Sequence, residues 1–443
     1  MRALLVAALA AGTLSACGGA ASDEVAVVVG YQSKTINTVT AGTLLRELGY
    51  FERRLDALGQ RTGTRYRVTW QDYDTGAPIT AQMVAGRVDI GSMGDFPLLI
   101  NGSRTQDMGD EGTRMVSVTG YNARGALNMV VVRPDSTAKA LSDLRGQKVS
   151  TSVGSAGHGT LVRALDGTEV VVENQQPSVG ASALQGGGVA ALSQFVAWPG
   201  QLVFAGQAKL LYDGAALDHP TLHGVVVRKP FADARPEVLA EFLRAQLDAT
   251  RYLHANPLAA AESVAAATGL PPEVVYLYNG PNGIATFDLS LKSVLREALR
   301  DDVPLLRSIG DIAELDVDRF IDDGPLKAVY EGTEDLANPA RITGEDPVCG
   351  VPVADPAAAG EVWFAGESAT RPAATPDCLL KQVKQAGKQV RAAYVPDAAT
   401  GTRWFAEHAH WVRDGDRFLP FATEAEAAKR GAVLTYAQAL AGA

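Results

Sequence analysis

Apolar and polar positions fall into two textures along this chain. Val25 to Tyr31 is apolar throughout a strand's length, as in parallel strands buried on both faces. Thr40 to Leu58 puts Leu44, Leu45, Leu48, Phe51 and Leu55 on one side of a helix. Tyr66 to Trp70 alternates as a strand, Ile79 to Ala85 reads as a short helix, and Val88 to Gly91 as another strand. Asp95-Phe96-Pro97 predicts a helix start, with Asp at the N-cap and Pro close behind. Val116 to Val118 and Leu127 to Val132 add strands, and the alternation repeats through Lys148–Ser152, His158–Leu165, Val170–Val172 and Ser178–Leu184. Strands alternating with helices predict parallel sheets built from βαβ units, an α/β fold. From Pro236 the texture changes to successive helices, Glu237–His254, Leu258–Thr268, Pro271–Tyr278 and Leu289–Leu299, several of them opened by Pro.

Glu331 to Pro347 is acidic and polar, with Gly332, Pro339, Gly344 and Pro347, which predicts a domain boundary near residue 340. Residues 336–347 read as a linker that leaves the geometry between its neighbours open. Beyond it, Val362–Ala365 and Arg391–Val395 read as strands and Asp377–Gln385 as a helix, a small α+β unit over residues 348–443. The Trp404 to Trp411 segment reads as helical.

With 443 residues the chain exceeds the roughly 100–200 residues of one domain, so two or three folding units are expected. A net charge of −10 repels phosphate backbones, which argues against a nucleic-acid partner. At the N-terminus, Arg2 precedes an apolar run from Ala3 to Leu14, the layout of a secretory signal and too short for the about 20 residues a spanning helix needs. Its exit, Leu14-Ser15-Ala16-Cys17, resembles the lipobox of bacterial lipoproteins. That resemblance implies a signal peptide over residues 1–16, a lipidated Cys17 with a tether over 17–24, and anchoring on the extracytoplasmic face of the membrane. Cys349 and Cys378 remain as a lone pair, readily a disulfide in an oxidising compartment.

In open α/β sheets ligands sit beyond the carboxyl ends of strands, where helix N-termini aim backbone N–H groups inward. Three strand-to-helix corners stand out: Gln32 to Asn37, Ser92 to Phe96, and Gly154 to Thr160. They nominate Gln32, Thr35, Asn37, Gly94, Asp95, Phe96, Ser155, Ala156, Gly157 and His158 as ligand-binding residues. In the third corner the glycines open the backbone and Ser155 and His158 supply side-chain donors; the plainer alternative is a Gly-rich turn with His158 in a helix-capping network. Asp95 has two readings as well. It either caps the helix that Pro97 opens, worth about 1 kcal/mol, or turns its carboxylate to the cleft, which would favour a solute carrying an ammonium or another donor.

Catalytic inventories are thin. The six His stand at 158, 219, 223, 254, 408 and 410, and no Gly-x-Ser-x-Gly elbow exists. Pro220 interrupts any helix that would align His219 with His223. Asp107, Asp110 and Glu111 lack EF-hand spacing. No enzyme activity is expected.

From about residue 25 to 335 the order of features resembles the nitrate/sulfonate/taurine family of solute-binding proteins of ABC importers. The resemblance is carried by Gly49-Tyr50-Phe51-Glu52, Gly86-Arg87-Val88-Asp89-Ile90-Gly91, Leu141 to Val149, the turn Gly154 to Gly159, Val225-Val226-Val227 with Phe231, Pro236-Glu237-Val238 and Asn256-Pro257. It implies a two-lobed type II periplasmic binding protein fold with lobe two over about 125–223. It also implies a monomer that closes on a small polar or anionic solute and presents it to an ABC permease. Trp198 falls where that family often places a cleft-lining residue. Enzymes on the same fold, such as the related pyrimidine synthases, carry a Cys-rich motif that is missing here, since no Cys lies between residues 18 and 348.

Residues 348–443 resemble a second family, the NosL-like copper-binding accessory lipoproteins of nitrous oxide reductase. Cys349-Gly350-Val351-Pro352-Val353, Thr375-Pro376-Asp377-Cys378-Leu379, Ala393-Tyr394-Val395-Pro396-Asp397 and Ala409-His410-Trp411-Val412 carry the likeness. That family usually has Met after Cys-Gly, where Val351 stands, and all six Met of this chain lie at or before Met129. Cu(I) favours thiolate and thioether donors, so the loss leaves Cys349, Cys378, His408 and His410. Two readings follow: a disulfide closing a loop of nearly thirty residues, worth roughly 3–4 kcal/mol, or a retained copper site serving a copper or redox accessory role. No other cofactor is implied.

Overall fold

The computed structural model describes residues 24–310 and 312–443, so the signal segment 1–16 and Cys17 lie outside the described residues. Lobe one is built on a six-stranded sheet. Across it the order is Thr286–Phe287, Thr113–Asn122, Thr221–Arg228, Ile90–Gly94, Glu24–Tyr31 and Arg65–Asp72. Glu24–Tyr31 runs parallel to both of its neighbours, while Thr221–Arg228 inserts antiparallel between Ile90–Gly94 and Thr113–Asn122. The apolar run at the start of the chain is a strand because helices cover both sides of the sheet, burying Val27 and Val29. On one side the Phe51 and Phe242 rings meet edge to face, 5.2 Å between centroids. Burying one such ring contributes roughly 1.5–3 kcal/mol.

The helix expected over 40–58 is two helices, Thr43–Leu48 and Tyr50–Thr62. They break at Gly49, whose φ of 61° needs a residue without a Cβ. Both keep the expected apolar side inward, burying Leu44, Leu45, Phe51 and Leu55.

Lobe two is a five-stranded sheet ordered Val171–Asn174, Lys148–Thr151, Ala191–Phe195, Asn128–Val132 and Lys209–Asp213. Two crossovers join the lobes, from Asn122 to Asn128 and from Asp213 to Thr221. Residues 221–223 therefore belong to lobe one, not to lobe two as expected. The apolar core of Thr221–Arg228 extends forward from Val225 into the centre of the first sheet.

The helices expected after residue 235 are Pro236–Ala255, Pro257–Thr268, Pro272–Asn279 and Ser293–Ser308. No helix of the described residues is long and apolar enough to cross a membrane. The C-terminal unit pairs Arg371–Ala373, Gly360–Phe364, Val390–Pro396 and Arg403–Phe405 in one sheet, and Arg417–Phe421, His410–Asp414 and Val433–Leu434 in another. The segment read as helical, Trp404 to Trp411, is instead a strand end, one 3-10 turn and a strand start. Trp404 and Phe405 pair with Val395 and Tyr394, and Trp411 with Pro420 and Leu434, and that cross-strand pairing outweighs helical spacing.

Residues 336–347 do not leave the geometry open. Tyr121 donates to the Leu336 carbonyl at 3.2 Å, Asn282 N–H to the Ala340 carbonyl at 2.8 Å, and Ile342 N–H to Asn282 Oδ1 at 2.7 Å. Ile342 is buried. The polar stretch is a strap held to lobe one at Leu336, Ala340 and Ile342, and at its far end Glu345 and Asp346 pair with Val351–Pro352 of the C-terminal unit.

Candidate functional site

The parallel strands of both lobes end at one cleft. Glu24–Tyr31, Arg65–Asp72 and Ile90–Gly94 point there from lobe one, and Lys148–Thr151, Val171–Asn174 and Ala191–Phe195 from lobe two. Helices follow five of them within a few residues, Gly76–Val84, Asp95–Gln106, Ala156–Leu165, Pro177–Gln185 and Trp198–Phe204. The first backbone N–H groups of a helix have no intrahelical acceptor, and its N-terminus carries about half a positive charge.

Between these ends lies a cavity of about 200 Å³, lined from lobe one by Gln32, Thr75, Gly76, Ala77, Gly94, Pro97 and His223. Lobe two supplies Ser152, Val153, Gly154, Ser155, Ala156, Asn174, Gln176 and Phe195. No Asp, Glu, Lys or Arg is among these lining residues. The wall thus offers amides, hydroxyls, an imidazole and helix N-termini, a set that suits an anion without a counter-cation. A more open chamber of about 340 Å³ shares Gln176 and is lined by Asp72, Tyr73, Asp74 and Pro78. A larger open depression of about 840 Å³ lies at the far end of lobe two. Two of its cations have carboxylate partners, Arg133 with Asp135 at 3.1 Å and Lys148 with Glu173 at 2.8 Å.

Of the predicted residues, Gln32, Gly94, Ser155 and Ala156 line the cavity. Thr35 and Asn37 stand behind the wall. The Thr35 hydroxyl lies 3.5 Å from Gln32 Oε1, and Asn37 Nδ2 lies 2.6 Å from His223 Nδ1. With Asn37 as donor, the ring proton of His223 sits on Nε2, the nitrogen nearest Gly94. Burial pushes the His223 imidazole down to about 3, so it remains a neutral donor.

The remaining predicted residues are placed elsewhere. Gly157 packs against the Gln194 backbone, where a Cβ would come within 2.9 Å. His158 caps its own corner: its N–H donates to Ser155 Oγ and its Nδ1 accepts from Gly154 N–H, each at 3.2 Å. Phe96 presses its ring onto Gly159 of lobe two, leaving no room for a Cβ. Trp198 packs against the apolar cluster shared by both lobes and the C-terminal unit, with Lys34 Nζ of lobe one 5.8 Å from its ring centre.

Asp95 fits neither of its two readings. Gly94 flanks the helix and Asp95 is its first residue. Its carboxylate accepts from its neighbour Phe96 N–H at 2.8 Å and from Leu222 N–H of the central strand at 3.2 Å. It is absent from the cavity wall because those two buried N–H groups hold it. Behind it, Asp302 binds Arg163 of lobe two at 2.6 Å and His219 of the crossover at 3.2 Å.

Sequence reasoning missed Thr75 to Ala77, Asn174 and Gln176. The strand-end rule used for three corners would have found them, since they follow the ends of Arg65–Asp72 and Val171–Asn174. His223 carried no local signal: its partner across the antiparallel ladder is Gly94, a pairing that only the fold creates.

The Cys pair is a disulfide, Cys349 to Cys378, with Cα atoms 5.9 Å apart. The nearby Asp346 carboxylate accepts N–H groups from Val348, Cys349 and Ala374. Joined in this way the two sulfurs offer no thiolate, so these residues as they stand do not fit a copper ion.

Residues 101–260 match the family described as NMT1/THI5 like. The taurine-binding periplasmic protein of Escherichia coli strain K12 is 26% identical over 237 residues, 52% of this chain and 70% of that protein. Two solved structures share the fold. The alkanesulfonate-binding protein SsuA of Xanthomonas axonopodis pv. citri, bound to MOPS, has a TM-score of 0.56 and 21% identity over 68% of this chain and 99% of its own. SsuA of Escherichia coli has a TM-score of 0.51 and 22% identity over 67% and 97%.

Burial, with the neighbouring Asp302 charge adding to it, pushes the Asp95 carboxyl from 3.8 up to about 7. Between those values the native state keeps a proton that the unfolded chain has released, so this group's contribution to stability falls as pH rises. Asp95→Asn removes that effect. Chemical denaturation at pH 5 and pH 8 will show the stability difference moving in the variant's favour at pH 8; a difference that is the same at both pH values contradicts the assignment.

Proposed function

We propose that this chain, a homologue of the taurine- and sulfonate-binding periplasmic proteins, is the extracytoplasmic solute-binding component of an ABC importer for small sulfonates. It captures its solute as a monomer, held to the membrane through Cys17, and presents it to the permease. The observation that carries the reading is the cavity wall, with helix N-termini from both lobes and no charged side chain. A sulfonate spreads one negative charge over three acceptor oxygens, and converging N–H donors match it without the desolvation cost of burying a cation. Because lobe one and lobe two each supply donors, the bound anion bridges them and favours closure.

The tail of the solute points to the outer chamber, where Asp72 and Asp74 favour an ammonium. That gives those two residues the role the sequence had suggested for Asp95, and makes an aminosulfonate the preferred class over a bare alkanesulfonate or nitrate.

Isothermal titration calorimetry with taurine, ethanesulfonate and nitrate tests the order: taurine tightest, ethanesulfonate weaker, nitrate weakest. A methyl group on Gly94 would stand 3.0 Å from His223 Nε2 and 3.4 Å from the Ala156 Cβ. Gly94→Ala is therefore expected to weaken both sulfonates on the order of tenfold, about 1.4 kcal/mol, with the thermal midpoint little changed. No heat from either sulfonate with the folded protein refutes the reading. For the anchor, Cys17→Ser in the native bacterium should move the protein from the membrane fraction to the soluble one; unaltered fractionation contradicts lipidation there.

A further inference from the structure

The solved relatives are matched over nearly their whole length while about a third of this chain lies outside the match, and the C-terminal unit has no part in the cavity wall. We propose that residues 345–443 serve as a brace that joins the two lobes behind the cleft and holds them close to the closed arrangement before any solute binds. Its contacts reach both lobes.

On the lobe-one side the attachment is a buried polar network. Arg403 pairs with Glu361 within the brace at 2.7 Å and donates to the Pro281 carbonyl of lobe one. Tyr276 of lobe one reaches back to the same Glu361 carboxylate at 3.1 Å. Tyr394 donates to the Glu273 carbonyl at 2.9 Å, and Arg391 holds the Glu273 carboxylate at 2.6 Å.

On the lobe-two side the attachment is smaller and centres on one carboxylate. Asp213 ends the strand that leads into the second crossover, and it is buried. It accepts from Thr402 Oγ1 at 2.6 Å and from Thr400 Oγ1 at 3.0 Å. Asp397 fixes the turn that carries those hydroxyls, accepting the Ala399 and Thr400 N–H groups at 2.7 Å each. Lys139 of lobe two pairs with Glu424 at 3.1 Å, and the Phe204 ring of lobe two lies 5.2 Å from that of Phe405.

One apolar cluster runs through all three units. It takes Leu202 and Leu210 from lobe two, Val274 and Tyr278 from lobe one, and Trp404 and Phe405 from the brace. Lobe opening is a rotation at a few crossover residues. An interdigitated apolar core packs to crystal-like density and does not serve as a sliding plane. A body that is bonded to both lobes and shares their core cannot keep both attachments through such a rotation. The lobe-two side, with fewer buried polar contacts, is the one that must yield.

The lobes are also in contact with each other, through Phe96 against Gly159 and Arg163 with Asp302. The brace accordingly sets how much of the closure is present beforehand, and a preformed cleft leaves less conformational work for the solute.

Double electron–electron resonance on the whole mature chain tests this, with nitroxide labels at exposed Asp107 of lobe one and Val179 of lobe two. The readout needs no solute, so it stands apart from the sulfonate reading. The braced chain is expected to give one narrow distance distribution without solute. Thr400→Val with Thr402→Val is expected to add a second, longer population. Glu424→Lys, a surface change that opposes Lys139, gives the same result in smaller measure and serves if the double variant does not fold. A broad or long distribution in the unaltered chain overturns the proposal, as does a narrow one that neither variant changes.

Discussion

The unpaired N–H groups at a helix start need acceptors, and in this protein five helices begin at the same cleft. Parallel strands make that arrangement unavoidable, because each one delivers the chain to its helix on the same edge of its sheet. Neither Thr75 nor Gln176 caps its helix with its own side chain, so the donors at Gly76 and its neighbours stay open to a solute. The rest of the site is arranged around those donors. Charged groups are kept out of the wall, and the one His that enters it is held neutral.

Asp95 shows how strictly the wall is kept uncharged. It sits at the start of a helix whose N-terminus faces the cleft, yet its carboxylate turns back to Phe96 and Leu222. Its neighbours Asp302, Arg163 and His219 join helix, lobe and crossover in one polar cluster beside the cleft. Of these groups it is the Asp302–Arg163 pair that ties helix Ser293–Ser308 to lobe two.

Much of the α/β pattern was legible from short apolar runs and helical spacing, since burial on both faces leaves an unbroken signature such as Val25 to Tyr31. Local signals failed where backbone geometry or distant partners decide. Gly49 split a helix whose apolar side was read correctly. Trp404 is held by its strand partner Val395 and Trp411 by Pro420 and Leu434, and the polar strap at 336–347 is fixed by Asn282 and Tyr121, which no linker composition reveals. Within the site, residues at strand ends were findable by rule. His223 was not, because its place beside Gly94 comes from the register of an antiparallel pair.

The most direct test of the central claim is a two-dimensional 15N–1H correlation spectrum of the whole chain, titrated with ethanesulfonate and separately with ethylammonium. Backbone amides at helix starts are predicted to move saturably with the sulfonate, with Gly76, Ala77 and Ala156 foremost, and to stay still with the ammonium. Sulfonate-induced shifts that leave those three amides unmoved, or shifts there with the ammonium alone, would contradict an anion site built from helix N-termini.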